Sequence, residues 1–173
     1  MTLPRITFIF LLCLNLLQAS DWPQASGADG NFRTADAGPT IWSVALDENV
    51  SWKLTLPETG QSTPVISKGK LFFSTLKPFE TDAELGKDIT AWCCDASTGK
   101  VLWQKEIIGK HPLKLSGCFS DSSSPPAVTD GKHVVFVNAS SGISCFTFEG
   151  ELVWNQDFFT VGRGLPFLHE GKI

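Results

Sequence analysis

Three copies of one pattern constrain this chain more than any other feature. Each starts at a Pro, continues with two apolar residues and reaches Gly-Lys five residues after the Pro. The copies are Pro64-Val65-Ile66-Ser67-Lys68-Gly69-Lys70, Pro126-Ala127-Val128-Thr129-Asp130-Gly131-Lys132 and Pro166-Phe167-Leu168-His169-Glu170-Gly171-Lys172. A second landmark is a Trp closing an apolar stretch, at Trp52, Trp103 and Trp154. Trp52 lies 12 residues before Pro64, Trp154 lies 12 before Pro166, and Pro126 lies 28 before Trp154. The basic period is therefore 40 residues, and the Pro64–Trp103 and Trp103–Pro126 intervals each run 11 residues longer. A fixed period of about 20 to 50 residues marks stacked supersecondary units that bury their faces on one another.

Within one period the signals are those of strands. Leu71-Phe72-Phe73-Ser74 and Val134-Val135-Phe136-Val137 are short apolar runs. Ile89 to Cys94 and Ile143 to Phe148 follow, then turns at Thr98-Gly99 and Glu149-Gly150. Glycine adopts positive φ there at little cost. Val101-Leu102-Trp103 and Leu152-Val153-Trp154 complete the units. No segment beyond the N-terminal stretch shows capped helical periodicity. Four short strands in about 40 residues make one propeller blade. The expected fold is all-β: β-propeller blades of four antiparallel strands, forming a partial propeller. The two insertions fall near 77–87 and 109–119; both carry Pro, Gly and Lys, and the first adds Asp and Glu, as loops do.

The start of the chain reads as a targeting segment. Arg5 supplies positive charge, and Ile6 to Leu17 is apolar apart from Thr7 and Asn15. That length suits a signal peptide and is short for a bilayer span. Gln18-Ala19-Ser20 ends it with small residues, so cleavage is expected near Ala19 or Ser20. Cys13 follows Leu12, where a lipidation site wants a small residue. The expected division is a signal peptide over 1–20, an N-terminal segment with part of a closing blade over 21–51, and propeller repeats over 52–173. No transmembrane span is expected in the mature chain, which would be secreted or periplasmic.

Composition narrows the partners. The chain has 173 residues, 42% hydrophobic and 18% charged, so it can bury a core. Net charge is −4 with no basic stripe, which argues against nucleic acid as a partner. Six Trp and 13 Phe without a Tyr suit buried sheet packing, because a ring without a hydroxyl needs no hydrogen-bond partner for it.

Candidate chemistry is sparse. Cys93, Cys94, Cys118 and Cys145 admit three full disulfide pairings, and none has the C-x-x-C spacing of a zinc site. Cys93 and Cys94 are adjacent on an expected strand, where neighbours face opposite ways. His111, His133 and His169 are scattered. Asp121-Ser122-Ser123-Ser124 lacks the Gly-x-Ser-x-Gly elbow of a nucleophile and reads as a blade-to-blade loop. Asn49-Val50-Ser51 and Asn138-Ala139-Ser140 match a glycosylation pattern that matters only in a eukaryotic secretory pathway. No catalytic or metal-ligating residue is assigned.

Ala91-Trp92-Cys93-Cys94-Asp95-Ala96-Ser97-Thr98-Gly99-Lys100-Val101-Leu102-Trp103 resembles the repeat of the PQQ-like (pyrroloquinoline quinone) β-propeller family. It keeps the Asp, Thr-Gly and Trp in register and carries two Cys where Leu is usual. Ile143 to Trp154 is a weaker copy, with Glu149-Gly150 in place of Thr-Gly. The resemblance covers Trp52 to Ile173, and Trp22-Pro23-Gln24 with Gly27 resembles the start of exported bacterial members. A WD repeat is excluded because Gln104 and Asn155 follow the Trp, and an Asp-box because Asp95 and Gly99 are four apart. The resemblance implies structural roles for Trp52, Asp95, Thr98, Gly99, Trp103, Gly150 and Trp154, each Trp packing near the Thr-Gly turn of the neighbouring blade. Such propellers close with seven or eight blades, upwards of about 280 residues at this period, so the chain reads as a fragment.

Two functions follow from the resemblance. The first is a non-enzymatic scaffold that binds other exported or envelope proteins, or a polymer such as glycan. The alternative is an N-terminal fragment of a PQQ-dependent quinoprotein dehydrogenase, with PQQ and Ca²⁺ as cofactors. Its catalytic Asp, its Ca²⁺ site and the Arg or Lys around the quinone cannot be located in the sequence, so no cofactor is expected.

Overall fold

The computed structural model describes residues 20–78, 88–110, 121–157 and 164–173. Residues 1–19 of the expected signal peptide, most of both insertions, His111 and Cys118 lie outside the described residues. Among the described residues eight strands form two antiparallel sheets of four. The first holds β1 (Val65–Ser67), β2 (Lys70–Leu76), β3 (Ile89–Asp95) and β4 (Val101–Ile107) in chain order. The second holds β5 (Val128–Thr129), β6 (His133–Asn138), β7 (Gly142–Thr147) and β8 (Leu152–Gln156), again in chain order. Among the described residues no helix is long and apolar enough to cross a membrane.

The Gly-Lys pattern makes the first hairpin of each unit, in two forms. Ser67 pairs with Lys70, leaving Lys68 and Gly69 at φ +49° and +73°. Two consecutive positive φ values make the turn whose twist matches the flanking strands. The third copy repeats it, with Glu170 and Gly171 at φ +47° and +74° between His169 and Lys172. The second copy differs. Thr129 pairs with Val134, and the Asp130 carboxylate closes the longer loop by accepting from the Lys132 and His133 amides at 2.8 and 2.6 Å.

The first sheet is apolar on both faces because it lies mid-stack. One face puts Val65, Phe72, Ile89, Ala91, Cys93 and Ile107 against Ala127, Val134, Phe136, Phe146 and Phe148 of the second unit. The other puts Phe73, Trp92 and Cys94 against Leu54 and Leu56, which precede the first blade. Period-two alternation on β2 and β3 thus feeds two cores. The far face of the second sheet carries Val128, Val135 and Cys145, met by Leu168 of the third copy.

Candidate functional site: the seam between blades

The residues singled out by the repeat converge on the seams. Asp95 builds the first turn: one carboxylate oxygen accepts from the Ser97 and Thr98 amides at 3.0 and 2.8 Å and from their hydroxyls at 2.6 and 2.8 Å. These bonds, the Ser97 hydroxyl first, hold the Asp95 pKa at about 2. The carboxylate is ionised above that value. Its contribution to the turn is present above the unfolded pKa near 3.8 and is lost as pH falls toward 2. Gly99 sits at φ +72° with its α-carbon against the Trp52 ring, and the Trp52 indole N–H donates to the Ala96 carbonyl at 2.9 Å.

The next seam repeats this with different parts. The Trp103 indole N–H donates to the Phe148 carbonyl at 2.9 Å, and a Cβ on Gly150 would lie 2.9 Å from the Trp103 ring. The Lys70 ammonium donates to the same carbonyl at 2.8 Å and lies 5.4 Å from the Phe148 ring centroid. So a residue of the Gly-Lys pattern reaches the following blade. Trp103 also packs near Phe72, Phe136 and Phe146, with centroids 5.9 to 6.1 Å apart. In this second turn a hydroxyl takes the place of the Asp95 carboxylate: that of Thr147 accepts from the Glu151 amide at 3.1 Å. Trp154 occupies the corresponding place on β8 and is 37% exposed.

The Thr147 turn is one residue shorter than the Asp95 turn, since Thr147 N bonds Glu151 O where Asp95 N bonds Lys100 O. Cys145 is therefore the counterpart of Cys93, each paired across the sheet with its seam Trp. Cys93 and Cys94 point to opposite cores, away from each other. Burial pushes the Cys93 thiol up to about 12 and raises those of Cys94 and Cys145. At pH 8 a thiol with that pKa is ionised on the order of 10⁻⁴ of the time. We expect iodoacetamide to leave all three unmodified in the native protein at pH 8 and to alkylate them in urea, as peptide mass mapping would show.

The serine run is consumed in structure. The Ser123 hydroxyl donates to the Asp121 carboxylate at 2.6 Å and accepts from the Gln61 amide at 3.0 Å. The Ser122 and Ser140 hydroxyls share a bond of 2.8 Å. The Ser124 hydroxyl donates to the Asp121 carbonyl at 2.7 Å. His133 lies beside Asp130 and His169 beside Glu170, neither in contact with the serines. Among the described residues no three His, Cys, Asp or Glu side chains form a metal-ligand group.

Asn138, fully buried, donates to the Ile107 carbonyl at 3.0 Å and accepts from the Ser140 amide at 2.8 Å, joining the two blades at their loop ends. A glycan on this nitrogen is incompatible with the fold. Asn138→Leu would strand the Ile107 carbonyl and the Ser140 amide, and should cost about 2 kcal/mol or more in urea unfolding.

One element is legible in the sequence only as a starting motif. Asp21 to Gln24 runs along the β1 and β5 edges of the two sheets and on to the third copy. The Asp21 carboxylate accepts from the Ser67 hydroxyl and the Lys68 amide, both at 2.9 Å. Trp22 and Ile66 exchange backbone bonds of 2.8 and 2.9 Å. The Pro23 carbonyl accepts from Thr129 N at 2.9 Å, and the Gln24 side-chain oxygen from Leu168 N at 3.3 Å. Successive residues thus engage the first, second and third copies in turn. The Trp22 ring folds back onto Gly27, where a Cβ would lie 2.9 Å away.

Two stacked four-stranded antiparallel sheets, with a Trp of one unit seated on a Gly turn of the next, define partial β-propeller blades of the PQQ-like kind. Residues 90–173 match a family model described as outer membrane protein assembly factor BamB, and the repeats are PQQ-like in kind. Among solved structures, the crystal structure of BamB from Moraxella catarrhalis aligns with 17% identity and a TM-score of 0.40, over 62% of this chain and 26% of that one. The chain thus spans about a quarter of the length of that relative. No curated protein sequence matches it.

Proposed function

We propose that the chain is part of an exported, non-enzymatic propeller scaffold that binds another envelope protein or an envelope polymer. One observation carries this reading: the residues most distinctive in the sequence are spent on stacking blades. Trp52, Trp103, Gly99 and Gly150 form the seams, Asp95 and Thr98 shape a turn, and Ser122 to Ser124 knit a loop. The buried thiols are poor nucleophiles. The description of the matching family model, an outer membrane assembly factor, agrees with an envelope setting and a binding role.

The test combines two measurements on the protein expressed with its own N-terminus. Titration with PQQ and Ca²⁺, followed by quinone fluorescence, should show no saturable binding. In-cell crosslinking after export should give a reproducible stoichiometric adduct with a defined envelope component. Saturable quinone binding with dehydrogenase turnover would overturn the proposal.

A further inference from the structure

The segment that crosses the repeats is anchored residue by residue from Asp21 to Gln24, and its anchoring begins one residue earlier. Ser20 N lies 2.7 Å from a carboxylate oxygen of Asp36, and the Ser20 hydroxyl donates to that same oxygen. The Thr34 hydroxyl stands 3.3 Å from the Ser20 hydroxyl and accepts from the Asp36 amide at 3.1 Å, fixing the short loop that presents the carboxylate. The neighbouring Asp21 carboxylate is already committed to Ser67 and Lys68. Asp36 is thus the acid that faces the Ser20 nitrogen. Ala19 is the small residue that a signal-peptide cleavage site requires immediately before the broken bond.

We propose that export processing breaks the Ala19–Ser20 bond and that Asp36 is the receptor for the α-ammonium so created. Signal-peptide hydrolysis adds one water across the amide. Ala19 leaves as a carboxylate on the released peptide, and the Ser20 amine takes a proton at neutral pH. A neutral peptide N–H on Asp36 becomes a charged donor, which strengthens a bond the fold already makes. The Ser20 hydroxyl, followed by its backbone N–H, holds the Asp36 carboxyl below the usual carboxylate range, so it is ionised to receive the charge. The consequence is a seated N-terminus: Ser20 on Asp36, Asp21 and Trp22 on the first repeat, Pro23 on the second and Gln24 on the third.

This inference rests on the exported reading, and the experiment separates the two. The whole precursor is expressed in a Gram-negative host, and the N-terminus and mass of the chain are read in the periplasmic and cytoplasmic fractions. A periplasmic chain beginning at Ser20 is the expected result. A periplasmic chain beginning at any other residue overturns the cleavage assignment and leaves export standing. A chain found only uncleaved in the cytoplasm overturns both.

Capture by Asp36 is read separately, by acylating the exported protein with limiting amine reagent at pH 7. The Ser20 amine of Asp36→Asn should react about two- to five-fold faster than in the wild type, the range an exposed ion pair supports. Asp47→Asn, whose carboxylate pairs with Lys53, makes the same charge change and should leave the rate unaltered. Equal rates in wild type and Asp36→Asn would overturn the capture.

Discussion

Trp103→Ala should lower the stability to urea by about 3–5 kcal/mol, the range for truncating a packed aromatic. The indole lies between rings from both blades, Phe72 on one side and Phe136 and Phe146 on the other. Removing it opens a void at the seam that the three aromatic side chains, packed in the core between the two sheets, cannot close without leaving their own neighbours. The lost hydrogen bond is a smaller part of the effect. The Phe148 carbonyl keeps the Lys70 ammonium as a donor, so it is not stranded. Trp103→Phe should therefore recover more than half of the loss, because it restores ring area without the N–H. Trp154→Ala offers the contrast. In the 173-residue chain the same residue type at the same place in the next unit is 37% exposed, and its truncation there should cost half as much, about 2 kcal/mol. Equal costs for Trp103→Ala and Trp154→Ala would mean that the seam is not where the stability lies.

That contrast shows what the sequence makes legible. Both Trp residues sit at the same point in the period, and the repeat alone assigns them one role. The strands were readable because each is a short apolar run between turn residues, and β2, β3, β6 and β7 fall where those runs lie. The opposed faces of Cys93 and Cys94 follow from strand alternation. The equivalence of Cys93 and Cys145 does not, because Glu149-Gly150 aligns with Thr98-Gly99 by spacing while the turn before it is one residue shorter. Spacing between landmarks hides compensating changes within the interval.

The N-terminal crossing was harder still. Its bonds from Trp22, Pro23 and Thr129 are made by backbone groups, which every residue carries, so no side-chain pattern announces them. Asn138 was legible only as an acceptor motif. Its hydrogen-bond partner, the Ile107 carbonyl, is 31 residues away. The seam residues differ from both cases. They need a large ring on one side and a missing side chain on the other, and that requirement is written in residue identity.

The second large effect tests the missing side chain directly. Gly99→Ala should cost about 3 kcal/mol or more, against about 1–2 kcal/mol for Gly131→Ala. Both glycines have positive φ, +72° and +82°, so both alanines carry the same backbone strain. They differ in what the new methyl meets. At Gly131 the nearest atoms are the end of the Lys68 side chain, 3.5 Å away and free to move. At Gly99 the methyl would fall inside the van der Waals envelope of the Trp52 ring. That ring cannot withdraw without breaking its 2.9 Å bond to the Ala96 carbonyl. The excess over Gly131→Ala is therefore the energy of forcing the ring off the turn. A double-mutant cycle isolates it: in a Trp52→Ala background Gly99→Ala should cost no more than Gly131→Ala. If the full cost persists without the ring, the glycine serves only its own backbone, and blade stacking does not depend on a ring seated against a bare α-carbon.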